Sequence, residues 1–509
     1  MTLKNLLLSG FILLKIALQY VLINPVYQLH RDEYLHLDQG QHLAWGYVSV
    51  PPVTSWVSYL VHLLGNDVFW VHFFPALFGA LTLLVVWKTI EALGGSWYAL
   101  GLGAVSILFS ALLRINLLYQ PNSLDILLWT TLYFTLARYI KSENSKWLYA
   151  AAFTFALGFL NKYNIAFLLV GLLPALLLTP HRKLLVNKHV YFAMGLAFLL
   201  ILPNLVWQYS HDFPVIHHMN ELARTQLVNV QRADFLKEQL LFFLGSIFVI
   251  LAAFVSFFVF RPFSKYRVFF WAYVITLATF TYLKAKGYYA IGLYPILIAF
   301  GSVYLESLLQ AGWLRYLRPV ALILPLLFIF RIVNLVFPTL PPEEIQRHAD
   351  RYEALGLLRW EDGKNHDLPQ DFADMLGWKE LAGKVDSASA LVAEKGRTFI
   401  LTDNYGQAGA INFYSKNKDL RAVSLNADYI DWFDLSSKIN NLILVQEVSD
   451  TDPGREREKP FFERIRFIGE VQDPYAREKG TRIYLLENAK VDVNKILAQK
   501  ISKQKNEKE

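Results

Sequence analysis

The sequence predicts a polytopic α-helical membrane protein of about eleven transmembrane helices, followed by a C-terminal soluble α/β domain. Three observations carry that expectation. Of 509 residues, 54% are hydrophobic and only 18% charged, which is more apolar side chain than soluble domains of this length carry. Apolar runs of about 15 to 22 residues, near the ~20 needed to cross ~30 Å of hydrocarbon, recur eleven times within the first 340 positions. Charge divides the chain: residues 1–340 hold 12 acidic and 23 basic residues, whereas 341–509 hold 30 and 26.

The apolar runs fall at 6–24, 68–87, 97–113, 123–140, 147–161, 163–179, 189–206, 238–260, 268–283, 288–308 and 319–337. The first begins after a single lysine and has no small-residue cleavage site, so it reads as a retained helix. Basic residues cluster at four short connections: Arg138, Lys141 and Lys146; Arg182, Lys183 and Lys188; Arg261, Lys265 and Arg267; and Arg315 with Arg318. With eleven spans and Lys4 inside, all four clusters fall on the cytoplasmic side, as the positive-inside rule asks. The turn at Asn161–Asn164 is the step on which this orientation depends. The net charge of +7 therefore reflects loop topology, and no nucleic-acid partner is expected.

Residues 25–67 and 207–237 form long, polar and aromatic outer loops, so function is expected on the outer face. After Pro338 the composition becomes soluble. The segments FILTDNY (399–405), NLILVQEV (441–448), RIRFIGEV (464–471) and TRIYLLEN (481–488) read as strands with helical patterns between them. The chain thus divides into a transmembrane domain (1–340), an extracytoplasmic α/β domain (341–490) and a charged tail (491–509) expected to be disordered. The absence of cysteine removes disulfides, thiolate metal sites and cysteine nucleophiles together.

Polar residues on the outer face carry the chemistry. In HRDEYLHLDQGQHLAWGYVSVPPVTSW (30–56), Asp32 and Glu33 follow the first span, where unpaired carboxylates are costly and often functional. The alternative is helix capping, since acidic residues favour a helix N-terminus. An amphipathic helix over DEYLHLDQGQHLAWG would let Leu35, Leu43 and Trp45 rest on the membrane. Asp125 is the only acidic residue between Glu91 and Glu143 and needs a partner, metal or water. An ion pair with Arg114 is the structural alternative. Lys162 in GFLNKYNIAFLL and Lys286 in YLKAKGYYAIGLYP stand at outer span ends beside tyrosines and asparagines. Such point charges suit a phosphate, though each alone could simply snorkel. The histidines could ligate a divalent metal, but no H-E-x-x-H spacing appears. No cofactor is expected with certainty. Walker A, G-x-G-x-x-G and G-x-S-x-G patterns are missing, which leaves nucleotide and serine-hydrolase readings unsupported.

In their order, DEYLHLDQGQHLAWGYVSVPPVTSW, LYQPNSLDILLW, LGFLNKYNIAFLL, LPNLVWQYSHDFPVIHHMNEL and KAKGYYAIGLYPIL resemble the GT-C glycosyltransferases of family 39. That group comprises bacterial relatives of the protein O-mannosyltransferases and of the aminoarabinose transferase. FADMLGWKELA and DNYGQAGAINFYS resemble the tail region of many bacterial members. The resemblance implies transfer of a sugar from a polyprenyl-phosphate donor to an acceptor hydroxyl or phosphate at the outer, periplasmic face of the bacterial inner membrane. The acceptor would be a lipid, glycan or protein of the cell envelope, and membrane lipids surround the enzyme. It also implies Asp32 as general base with Glu33 beside it, and Asp125 as a second acidic position. Lys162 and Lys286 would stand at the lipid phosphate, with Tyr163, Tyr288, Tyr289 and Arg114 binding substrate. Two departures narrow it. The first loop lacks the Ala-Arg-Tyr run of the aminoarabinose form, and the C-terminal region is unlike the lectin module of eukaryotic mannosyltransferases. A secondary transporter or a glycan-binding assembly protein is the competing class, but a transporter would place its charges near the midplane of related halves.

Overall fold

Apolar runs in the first 340 residues become helices because the backbone's polar groups must be satisfied within the segment where no water is at hand. The computed structural model describes residues 3–506, the side chain of Asn229 aside. All eleven runs lie on helical segments, but these are unequal. Five helices are long and apolar enough to cross a membrane: Leu3–Val21, Val68–Leu93, Lys188–Ser210, Gly287–Leu308 and Gly312–Val336. Two bent pairs, Tyr163–Leu177 with Pro180–Val186 (109°) and Arg232–Leu241 with Leu244–Val259 (59°), bring the number to seven. Length and composition therefore give five to seven among the described residues, against the eleven expected. The difference has local causes. Lys146–Asn161 and Arg267–Tyr282 have only 16 residues each, and Trp97–Leu108 stops after 12. The N-terminal end of Pro121–Ser142 is polar, with Asn122, Ser123 and Asp125 in its first turns.

Between Asn161 and Tyr163 the chain breaks. Lys162 is extended (φ −158°, ψ 127°), and a 3-10 turn, Tyr163–Ile165, starts the next helix. A similar 3-10 segment, Gly287–Leu293, follows Lys286. Both lysines thus sit at interruptions where side chains leave the helical lattice.

Beyond Pro338 lies a five-stranded mixed sheet of β1 (Thr398–Thr402), β2 (Ala422–Ser424), β3 (Asn441–Gln446), β4 (Phe462–Glu470) and β5 (Arg482–Ala489), in the order β2-β1-β3-β5-β4. Strands β2, β1 and β3 run parallel, with Ile400 opposite both Ala422 and Ile443. β5 closes on β3 and β4 antiparallel. The segment read as FILTDNY stops being strand at Thr402, because the Asn404 side chain accepts from the Gln407 backbone N–H at 3.0 Å and caps a helix, Tyr405–Tyr414. The expected disordered tail is helical over Val493–Asn506. Its Val493 and Leu497 are buried against β-strand side chains such as Phe399 and Leu486, and 507–509 lie outside the described residues.

The C-terminal region shares a core with the loop that follows the first helix. Tyr27, Leu29, Tyr34, Leu35 and Leu37 pack among Trp378, Leu381 and Ile411. Tyr34 meets Trp378 edge-on at 5.6 Å, and both rings are fully buried, each contributing roughly 1.5–3 kcal/mol of hydrophobic stabilisation. This overturns the expected amphipathic membrane helix. The helix is only Arg31–Gln39, and Leu35 faces the C-terminal region's core. Leu43 (51% exposed) and Trp45 (47% exposed) lie beyond its end.

Candidate active site

Asp32 and Glu33 open the Arg31–Gln39 helix, and they do different things. His30 is the N-cap, its Nδ1 accepting from the Asp32 backbone N–H at 3.2 Å. Glu33 closes a capping box, accepting from the His30 N–H at 2.6 Å through Oε2. Its Oε1 accepts from the Tyr119 N–H, also at 2.6 Å. Glu33 is fully buried, with both oxygens committed to backbone donors.

Asp32 is partly exposed and turned toward side chains. Its Oδ1 accepts from the Tyr405 hydroxyl at 2.7 Å and its Oδ2 from Gln120 Nε2 at 3.1 Å. Burial pushes this carboxyl up, but His30, the Tyr405 hydrogen bond, Arg31 and His36 outweigh it, leaving Asp32 below the usual carboxylate range.

A hydrogen-bonded chain runs on from Gln120. Asn122 Nδ2 donates to Gln120 Oε1 at 2.9 Å, and Lys162 Nζ donates to Asn122 Oδ1 at 2.7 Å. Lys162 also lies over the rings of Tyr289 at 4.5 Å and Tyr288 at 5.0 Å. Asp125 is held by Trp129 Nε1 (3.0 Å) and Asn164 Nδ2 (3.1 Å). Asn164 Nδ2 also donates to the Tyr289 carbonyl at 2.9 Å. The charges of Asp125 and Lys286 both act on Lys162, and that of Asp32 acts on Tyr288. No hydrogen bond joins Asp32 directly to Asp125. The hydrogen-bonded chain from Asp32 ends at Lys162, on which Asp125 acts through its charge alone.

Lys286 donates to Gln226 Oε1 at 2.7 Å and to Glu361 Oε1 at 3.1 Å, the latter from the C-terminal region. Two expected members lie elsewhere. The Tyr163 hydroxyl donates to Asn204 Oδ1 at 3.2 Å and accepts from Gln208 Nε2 at 2.9 Å, tying the break at Lys162 to the Lys188–Ser210 helix. Arg114 pairs with Asp371 at 2.9 Å, so the ion pair considered with Asp125 does not form. Gln120, Asn122, Asn164, Tyr405 and Glu361 are the members that sequence reasoning missed. The first three stood inside the quoted motifs LYQPNSLDILLW and NKYNIAFLL, where their amides were a readable signal. Among the described residues, no three His, Asp or Glu side chains gather as a metal-ligand set.

Near Lys286 an apolar cavity of about 240 Å³ is lined by Leu236, Gln239, Phe243, Phe254, Tyr273 and Tyr294. Gln239 Nε2 donates to the Gly287 carbonyl at 3.0 Å, so the cavity's polar end adjoins the Lys286 turn.

Residues 49–207 match the family model described as dolichyl-phosphate-mannose-protein mannosyltransferase. The chain is 26% identical over 394 residues to the lipid A galacturonosyltransferase RgtD of Rhizobium johnstonii, covering 73% of this chain and 75% of that protein. Its fold is similar to that of ArnT from Cupriavidus metallidurans bound to undecaprenyl phosphate, with a TM-score of 0.62 at 13% identity over 97% of this chain and 99% of the other. The apo state of the same ArnT gives 0.60 at 11% identity, with the same coverage of both chains. Family model, relative and fold agree with the resemblance its motifs carry, that of a multi-pass membrane glycosyltransferase of the GT-C type.

Proposed function

We propose that the protein transfers a sugar from a polyprenyl-phosphate donor to an acceptor hydroxyl at the outer face of the bacterial inner membrane. The observation that carries this reading is the hydrogen-bonded path from Asp32 through Gln120 and Asn122 to Lys162. It puts a carboxylate and an ammonium at the two ends of one polar network, as a base and a leaving-group cation would require. The similar galacturonosyltransferase acts on lipid A, and the similar ArnT structure holds undecaprenyl phosphate, in keeping with a lipid-linked donor.

In this mechanism Asp32 removes the acceptor hydroxyl's proton as the oxygen attacks the anomeric carbon. The bond between that carbon and the phosphate oxygen breaks, and its electron pair leaves with the polyprenyl phosphate. Lys162 and Lys286 receive the growing negative charge. Asp125, locked by Trp129 and Asn164, sets the position and charge of Lys162. The prenyl chain follows the apolar cavity beside the Lys286 turn. An acceptor phosphate would need no proton removed, so a base at Asp32 favours a hydroxyl.

The same reading has eleven spans with the N-terminus cytoplasmic and residues 341–490 outside. Because the chain has no cysteine, single cysteines placed in 341–490 and in the basic loops report sidedness directly with an impermeant thiol reagent. Activity is tested by release of free polyprenyl phosphate from radiolabelled polyprenyl-phosphate sugars by the purified protein in lipid. Turnover with one member of a donor panel is expected. Equal binding of every donor with no release on addition of envelope lipid, glycan and protein acceptors would replace the transfer reading with a transporter or binding protein.

A further inference from the structure

The helix Tyr405–Tyr414 of the outer region lies directly on Arg31–Gln39, and its sequence shows why the two can approach. A Cβ added at Gly406 would stand 2.6 Å from Arg31 Cγ, and one at Gly409 would stand 2.6 Å from Tyr34 Cβ. Only glycine at these two positions, one helical turn apart, lets the helices close. The helix start is pinned as well. Asn404 Nδ2 donates to Glu447 (2.7 Å) and Glu478 (3.1 Å), and Gln407 Nε2 donates to Glu478 at 2.6 Å. This anchoring presents Tyr405 at the first turn, with the Arg31 guanidinium over its ring at 4.4 Å and its hydroxyl 2.7 Å from Asp32 Oδ1.

We infer that Tyr405 is a positioning residue for Asp32, so that the outer region completes the active site rather than merely capping it. The inference rests on the transfer reading above. Tyr405 donates to one oxygen of Asp32 while Gln120 donates to the other, which fixes the carboxylate plane and leaves its remaining lone pairs for the acceptor proton. Other groups also face Asp32. His30, Arg31 and His36 come from its own helix, Tyr288 from the Gly287–Leu293 turn and Asp374 from the outer region. They remain when Tyr405 is changed, so its removal alters one contribution among several.

The test is the pH dependence of kcat/KM for polyprenyl phosphate release by the full-length protein in lipid. A base must be ionised, so activity falls as pH drops through its pKa. Tyr405→Phe removes a donor that favours the ionised form. Its acid limb should move to higher pH, and kcat should fall about ten- to a hundred-fold, the effect of a hydrogen bond to a charged group, with donor KM little changed. Tyr429→Phe is the structural control: its hydroxyl donates to Asp38 at 2.6 Å in the same helix contact, and it should leave the acid limb in place. Fluorotyrosine at 405, a stronger donor of nearly the same shape, should move the limb to lower pH and covers the case in which Tyr405→Phe folds poorly. An unmoved limb in both Tyr405 variants, with Asp32→Asn inactive, overturns this inference alone. Full activity in Asp32→Asn overturns the transfer mechanism and the inference with it.

Discussion

The carboxylates of Asp32 and Asp125 occupy different surroundings. Asp125 stands in the helix Pro121–Ser142, 5% exposed, with one oxygen taken by Trp129 and the other by Asn164. Asp32 stands in the loop after the first helix, where Tyr405 and Gln120 hold it and part of it remains open. In the proposed mechanism the buried group is an unmoving counter-charge for Lys162 and Asp32 exchanges the proton, so the chemistry that needs an acceptor and a mobile proton falls on the open carboxylate and the chemistry that needs a fixed field falls where side chains exclude water.

If that division holds, the largest effect belongs to Asp32. Asp32→Asn should lower transfer by ~10²–10⁴-fold, the range for a lost general base, while the protein stays folded in the membrane. Release kinetics with donor and acceptor measure it. The wild-type profile should keep activity to lower pH than an ordinary carboxylate base would, because the groups around Asp32 lower its pKa. By the same linkage, its stabilising contribution is present above the unfolded-state pKa and is lost as pH falls through the lower folded value.

Lys162→Ala should follow, at about 10²–10³-fold in kcat, the cost of one donor removed from a developing oxyanion. A loss confined to donor KM would shift Lys162 from leaving-group stabilisation to simple binding. Glu33→Gln should act on stability instead. Leaving backbone donors of His30 and Tyr119 poorly matched in a fully buried site costs roughly 1–3 kcal/mol, visible as a lower denaturation midpoint. The smallest effect should come from Glu361→Gln. Lys286 is paired with Glu361 across a half-exposed contact, worth about 0.2–1 kcal/mol, so releasing the lysine should tighten donor binding by only a few-fold in a titration.

The contrast also explains what could be read in the sequence. Lys162, Lys286 and Asp125 stand out because a charge inside or beside an apolar run is costly and therefore conspicuous. The pair at 32–33 was legible as a pair, but its division of labour was not. Which acid meets the His30 N–H depends on where the helix begins, and sequence places boundaries poorly. Tyr405 and Glu361 lie in soluble sequence of ordinary polarity, where nothing marks one tyrosine or glutamate among many. Their role comes from a contact across more than 370 residues for Tyr405 and Asp32. Nearness along the chain points Arg114 to Asp125, while its partner, Asp371, comes from the C-terminal region. The helix at Val493–Asn506 was hidden by its lysines, since only Val493 and Leu497 face the sheet.

The most direct test sets the two neighbouring carboxylates against each other. Asp32→Asn and Glu33→Gln, purified in the same lipid, are compared for unfolding midpoint and for polyprenyl phosphate released per folded molecule in a single turnover. The account predicts that Asp32→Asn loses release and gives up only the modest midpoint contribution of its carboxylate, whereas Glu33→Gln loses more midpoint and keeps release per folded molecule. The opposite pattern, with Asp32→Asn turning over at the wild-type rate, would contradict it.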